Sequence, residues 1–276
     1  MNTATEELIP ELETIKQQLK TTWCAGNYAD IAKTLEHSAL DFLKRHPVKR
    51  DGKVLDVACG SGQVAIPAAR AGAEAVGVDI ADNLIDQARD RAAQEGLNVQ
   101  FDIGDAEMLP YEDNSFDQVY SVIGAMFAPR PERVAEELKR VCKPGGEIIM
   151  ANWTPEGFVG HFFKTVGKHA PPPAGMPSPL MWGQEQHVRK FFGSDIKALR
   201  TDKQYFEFRY TSPVSEIVDF YRQYFGPVNR AFARLDKSGQ DTLRRELKRL
   251  WSSHNQATDG TIYIQGEVLE IVANPA

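Results

Sequence analysis

ValLeuAspValAlaCysGlySerGlyGln, residues 54–63, is an apolar run that meets a carboxylate and then a turn built on two glycines. The β-branched and leucine side chains of Val54–Val57 suit a strand buried on both faces of a parallel sheet. Gly60 and Gly62 let the chain reverse tightly and come close to a ligand with no Cβ in the way, and the residues after them open a helix. Strand, glycine turn and helix in that order make a corner for a nucleotide or nucleoside, with Asp56 at its mouth.

By itself the turn suits two kinds of ligand. Gly60, Gly62 and Ala65 also satisfy the dinucleotide fingerprint, and Asp79, 19 residues beyond Gly60, stands near the spacing of a ribose-binding acid. Asp56 separates the two readings. A pyrophosphate seated on a helix N-terminus needs neutral amides and the positive end of the helix dipole, and a carboxylate beside it is repulsive. S-adenosylmethionine has no phosphate and carries an ammonium and a sulfonium, so an acid here favours it.

Further segments follow in the order a doubly wound sheet requires. AlaValGlyValAspIle (75–80) is a second buried strand ending in Asp79, whose two oxygens can accept from both hydroxyls of a ribose. PheAspIleGlyAspAlaGluMetLeu (101–109) places Asp105 and Glu107 just past a third strand. PheAspGlnValTyrSerVal (116–122) is a fourth, followed by a helix over 131–142, a turn over 143–146 and a fifth strand over 147–152. All these candidates stand at the carboxyl ends of strands, where open α/β sheets bind ligands.

Residues 54–152, about a third of the chain, resemble the class I S-adenosylmethionine-dependent methyltransferases, in the methyltransferase type 11 branch with the ubiquinone and menaquinone C-methyltransferases. AspValAlaCysGlySerGly, GlyValAspIle, GlyAspAlaGluMetLeuProTyr, SerPheAspGlnValTyrSer and LysProGlyGlyGlu stand in the family's order. The resemblance implies that Asp56, Ala58, Gly60 and Gly62 line the methionine part of S-adenosyl-L-methionine, that Asp79 holds the ribose and that Ile80 packs on adenine. It also implies that Asp105 accepts from the adenine amino group, with the Ala106 amide at a ring nitrogen and Ser121 near the cofactor's amino group. Where many relatives show paired histidines after the fourth strand, this chain has Met126 and Phe127, so an acid or base of that kind is missing.

The chain of 276 residues is 42% hydrophobic, enough for a substantial core, and its net charge of −6 argues against a general attraction to nucleic acid. Arg244, Arg245, Lys248 and Arg249 form a basic stretch, but Leu243, Leu247, Leu250 and Trp251 recur through it at helical spacing, so it reads as the solvated face of a helix. Cys24, Cys59 and Cys142 are too few and too scattered for a disulfide framework or a zinc site, which points to a reducing cytoplasmic setting and no metal. No cationic leader and no run of about 18 apolar residues occurs, so neither export nor membrane association is expected, and the oligomeric state is left open.

Ahead of the sheet, Leu8, Leu12, Ile15 and Leu19 recur at helical spacing, and Ile31, Leu35, Leu40 and Leu43 suggest a second helix. Trp23 and Tyr28 flank the turn between them, which resembles the segment that closes over the cofactor in relatives; Tyr28 is the better contact, and Trp23 reads equally well as core. Residues 151–254 hold 17 of the 26 aromatic residues, a bias that favours a small, partly apolar methyl acceptor. The prolines of 170–182 make a stiff loop, read as a lid over that acceptor. Strands at 196–210 and 262–273 complete a seven-stranded Rossmann-like sheet, with helices of 214–254 inserted between them.

The expected organisation is therefore an N-terminal helical lid (1–50), a cofactor-binding core (51–154) and a substrate cap with its loop and the last two strands (155–276). Methyl transfer is an in-line displacement in which positioning supplies much of the rate, so a base is needed only for an acceptor that must lose a proton. His161, His169, Glu185 and His187 are candidates, none singled out by its context, and no residue is assigned as catalytic. Two alternatives remain at this point: a dinucleotide-dependent oxidoreductase, and a non-catalytic protein that keeps the cofactor fold to bind a ligand or regulate a partner.

Overall fold

The computed structural model describes residues 8–276 apart from Ala174, so the first seven residues of the expected lid lie outside the described residues. Helices α1 (Leu8–Trp23), α2 (Tyr28–Thr34) and α3 (Glu36–Arg45) precede β1 (Lys53–Val57). Then come α4 (Ala65–Arg70), β2 (Glu74–Asp79), α5 (Asp82–Gln94), β3 (Gln100–Ile103), β4 (Phe116–Val122), α6 (Pro131–Val141) and β5 (Cys142–Trp153). The chain continues through α7 (Phe158–His169), α8 (Glu185–Phe192), β6 (Ile196–Tyr210), α9 (Val214–Tyr224), α10 (Gly226–Ala233), α11 (Lys237–His254) and β7 (Ile262–Pro275).

The seven strands form one sheet in the order β3-β2-β1-β4-β5-β7-β6. β1 to β5 are parallel, and β7 runs antiparallel to both β5 and β6. Leu55 of β1, Val119 of β4 and Ile148 of β5 are fully buried, as expected of central strands covered by helices on both faces. The chain leaves β1 toward β2 and β3, then returns to the other side of β1 as β4. The switch point thus lies between the carboxyl ends of β1 and β4, where such sheets leave a crevice.

Differences from the expected elements are local. β5 begins at Cys142, so the expected turn over 143–146 is an irregular start to the strand, with the register shift falling between the Phe116 and Gln118 pairs. The second N-terminal helix is two, α2 and α3, meeting at Leu35. Leu243, Leu247 and Trp251 of α11 are fully buried, and Arg244 pairs with Asp219, so the basic stretch is the outer face of a packed helix.

The proline-rich loop, expected as a lid, is anchored at its C-terminal end. Its tail, the 3-10 turn Pro179–Gly183, docks on β5 with Trp182 buried at 1% exposure against Phe191 and Phe192. Gly183 is the closest approach, because a Cβ there would fall 2.1 Å from the Trp153 carbonyl oxygen. The loop's tail is therefore anchored to the core, and its described residues line neither of the two cavities considered below.

Candidate functional site

At the switch point a cleft of about 720 Å³ opens. Its floor is Ala58 and Gly60 after β1, Asp79 and Ile80 after β2, and Asp105 and Ala106 after β3. Ile123 to Ala125 and Phe127 to Pro129 after β4 form one wall, and Lys16, Leu19, Trp23 and Tyr28 from the N-terminal helices form the roof.

The backbone of this floor is held in special conformations. Gly60 has φ +54° and Gly62 has φ +85°. A Cβ on Gly60 would meet only a Tyr28 ring carbon at 3.9 Å, so this position faces the cleft. Ala58 (φ 55°) and Ile123 (φ 54°) also occupy the left-handed region, which is uncommon for a residue with a Cβ and most of all for a β-branched one. The two loops touch: a Cβ on Gly124 would fall 2.5 Å from the Ala58 carbonyl oxygen.

Asp79 ties the corner together. Its Oδ2 accepts the Gly60 amide at 2.8 Å and its Oδ1 the Ala81 amide at 2.8 Å. Burial raises its pKa, and the amides oppose that rise. Asp56, fully enclosed, accepts the amides of Val64 at 3.2 Å and Ala65 at 3.0 Å, so it caps α4. Burial lifts its pKa to about 7, against the pull of those two amides. These amides at the start of α4 are the donors a pyrophosphate would need, and a carboxylate already holds them. The corner therefore suits a nucleoside without phosphate far better than a dinucleotide.

Placed in the structure, the ten expected cofactor residues divide. Tyr28, Ala58, Gly60, Asp79, Ile80, Asp105 and Ala106 converge on the cleft. Asp56 lies just behind it, lining a recess shared with Tyr28, Ala58, Gly60 and Ile123. Gly62 and Ser121 line neither space. A Cβ on Gly62 would meet Ile66 at 2.8 Å, so that glycine serves helix packing. Ser121 Oγ donates to the Val57 carbonyl at 2.9 Å and accepts the Ala125 amide at 3.0 Å, bracing β4 against β1.

Lys16 was not legible as a site residue from the sequence. Its Nζ reaches Asp105 Oδ2 at 2.5 Å and Glu107 Oε2 at 2.7 Å, and the fully buried Glu107 also takes the Arg130 amide and guanidinium. A lone lysine on an amphipathic helix gives no signal of a partner 89 residues away. Trp23, which reads equally well as core from the sequence, lines the cleft and packs edge-on against Tyr28 at 5.7 Å and tilted against Phe127 at 4.8 Å.

A second cavity of about 450 Å³ adjoins the cleft through Tyr28, Ile123 and Phe127, which line both. Ten of its fourteen lining residues are aromatic, among them Trp153, Phe158, Phe162, Phe208, Tyr221 and Trp251, and none is charged. Burial and the nearby Asp79 carboxylate push the Tyr28 phenol up to about 12. None of the four candidate bases lines either cavity. His161 faces His254, His169 pairs with Glu246 at 3.1 Å, Glu185 pairs with Arg189, and His187 stacks on Phe191. Among the described residues no cluster of His, Cys, Asp or Glu could hold a metal ion, and no helix is long and apolar enough to cross a membrane.

Residues 55–150 match the Methyltransferase domain family. The chain is 38% identical over 232 residues to the uncharacterized protein Rv1403c of Mycobacterium tuberculosis, covering 83% of this chain and 85% of that one. Its fold is similar to the YcgJ protein of Bacillus subtilis, with a TM-score of 0.60 at 20% identity over 87% of this chain and 98% of that one. It is also similar to phosphoethanolamine N-methyltransferase 2 of Haemonchus contortus, crystallised with phosphomonomethylethanolamine and S-adenosylhomocysteine. That likeness has a TM-score of 0.55 at 20% identity, over 87% of this chain and 53% of that one. The chain belongs to the class I S-adenosylmethionine-dependent methyltransferases, and S-adenosylmethionine is its cofactor.

Proposed function

We propose that this methyltransferase acts on a small, largely apolar acceptor held in the aromatic cavity, with the cofactor in the cleft at the switch point. The observation that supports this reading is the shared wall of Tyr28, Ile123 and Phe127, which sets an uncharged aromatic chamber against a cleft ending in Asp79 and Asp105. Asp79 takes the ribose hydroxyls, Asp105 and the Ala106 amide take the adenine edge, and Ile80 packs on its face. Ala58 and Gly60 leave room for the amino-acid arm, whose ammonium the Asp56 carboxylate attracts from behind. The bound cofactor supplies an electrophilic methyl on a cationic sulfur.

The chain's residues then have three tasks. They align acceptor and methyl donor, they exclude water, and they keep charge balanced near the sulfur. Tyr28 and Phe127, at the junction, hold the acceptor against the cofactor side. α1 and α2 roof the cleft, and α7, α9 and α11 enclose the acceptor, so the cap is assembled from both ends of the chain. With no histidine or carboxylate in the aromatic cavity, the reaction relies on positioning more than on a protein base.

The test is transfer of labelled methyl from S-adenosylmethionine onto a panel of hydrophobic ring compounds, short peptides and nucleic acid. Label on the ring compounds alone supports the reading. Label on intact RNA, DNA or folded protein, with none on small molecules, rejects it.

A further inference from the structure

The aromatic cavity contains one tyrosine whose hydrogen is already committed. Thr34 Oγ1 lies 2.7 Å from the Ile31 carbonyl oxygen, which can only accept, so the threonine hydrogen is spent there. Tyr210 Oη lies 3.0 Å from Thr34 Oγ1 and must therefore donate its own hydrogen to it. Tyr221 Oη lies 3.2 Å from Tyr210 Oη. With the Tyr210 hydrogen used, Tyr221 must donate in turn. Three elements, α2, β6 and α9, thus form a one-way relay of hydroxyls running out of the cavity.

Tyr221 lines the cavity, and after this commitment it has only lone pairs to offer. Burial holds its phenol well above the ordinary tyrosine value, so the hydrogen stays on it. Beside it, with ring centroids 5.2 Å apart, Trp251 lines the same cavity with its Nε1–H buried and without a hydrogen-bond partner. A buried indole N–H without a partner is costly, so a ligand that supplies one is favoured. One acceptor and one donor among aromatic walls are complemented by a single group that both donates and accepts.

We propose that Tyr221, fixed by Tyr210 and Thr34, is the residue that selects the methyl acceptor, and that the acceptor is a neutral, ring-bearing, largely apolar molecule with a hydroxyl group. The proposal rests on the aromatic cavity being the acceptor site. A ketone or ether of the same shape accepts but cannot donate, and leaves the Tyr221 lone pairs unmatched. An ammonium donates but cannot accept, and leaves the buried Trp251 Nε1–H unmatched.

The test is calorimetric binding of naphthol and of methoxynaphthalene to the protein saturated with S-adenosylhomocysteine. One net buried hydrogen bond predicts that naphthol binds about tenfold tighter. Tyr221→Phe should bring the two within about twofold of each other while S-adenosylhomocysteine affinity is unchanged, which certifies the fold. Tyr210→Phe frees the Tyr221 hydrogen to turn inward and should raise methoxynaphthalene affinity relative to naphthol, a change that a merely structural tyrosine would not cause. Equal affinities in the parent, or discrimination that survives Tyr221→Phe, would overturn the Tyr221 assignment and leave the cavity reading standing. If neither compound binds, or both compete with S-adenosylhomocysteine, the cavity reading falls and the assignment with it.

Discussion

Asp79 Oδ2 accepts the Gly60 amide at 2.8 Å, joining the end of β2 to the glycine turn after β1. The bond makes one carboxylate both a brace for the cofactor corner and a lining group of the cleft. Asp79→Ala removes charged hydrogen bonds and should weaken S-adenosylmethionine by about 1.5–3 kcal/mol, with a smaller loss of thermal stability as the corner loosens. Calorimetry on a folded variant checks it, and an unchanged affinity would show that Asp79 does not hold the cofactor.

The two glycines of the turn should respond differently. Gly60→Val places a branched side chain at φ +54° in cleft space, and should lose cofactor binding with a modest drop in Tm. Gly62→Val meets Ile66 and Phe101 and should cost stability first, by about 2 kcal/mol or more. Thermal melts alongside binding isotherms separate the two, and equal losses of both quantities in both variants would refute the distinction.

Asp56 gives stability a pH dependence of definite sign. A carboxyl whose pKa rises from 3.8 to about 7 on folding binds its proton more tightly in the native state. Its contribution is therefore full below pH 3.8 and is lost as pH rises through about 7. Asp79, raised by burial as well, acts in the same direction. Asp56→Asn should flatten the change in unfolding free energy over this window by a few kcal/mol, roughly, as measured by urea titrations at several pH values. A curve with the parent's slope would contradict the shift.

Replacing residues 171–177 with a Gly/Ser linker should leave cofactor affinity and methyl transfer within about twofold, since the loop's described residues line neither cavity. Phe162→Ala, by contrast, opens the acceptor chamber at a side chain that is 3% exposed, and should lower transfer at least tenfold, roughly, while sparing cofactor affinity. Steady-state kinetics on both variants checks the pair, and a collapse of transfer in the linker variant would restore the loop as a lid.

Much of this was legible in the sequence because central parallel strands announce themselves. Val54 and Leu55, or Val119 and Tyr120, stand on opposite faces and are buried on both, so their segments read as continuous apolar runs bounded by turns, and β4 and β6 begin and end where the pattern predicts. The placement of Asp79 and Asp105 at the cleft was readable because they end strands, and open α/β sheets leave their crevice at the carboxyl ends. The bracing role of Ser121 was not legible, since a position at the end of β4 fits a ligand contact and an internal brace equally well. The docking of the proline loop's tail was not legible either: stiffness is a local property, whereas contact with Trp153 and Phe192 is set by partners elsewhere in the chain. The join at Tyr28, Ile123 and Phe127 draws on α2 and the loop after β4, and no spacing in the sequence encodes it.

The central claim is that one cleft holds the cofactor and that its sulfur faces the aromatic chamber across Tyr28 and Ile123. A crystal structure with S-adenosylhomocysteine tests it most directly. The account predicts the ribose on Asp79, the adenine beside Asp105 and Ile80, and the homocysteine sulfur next to the shared wall. A nucleoside bound outside this cleft, or a sulfur turned away from the chamber, would contradict it.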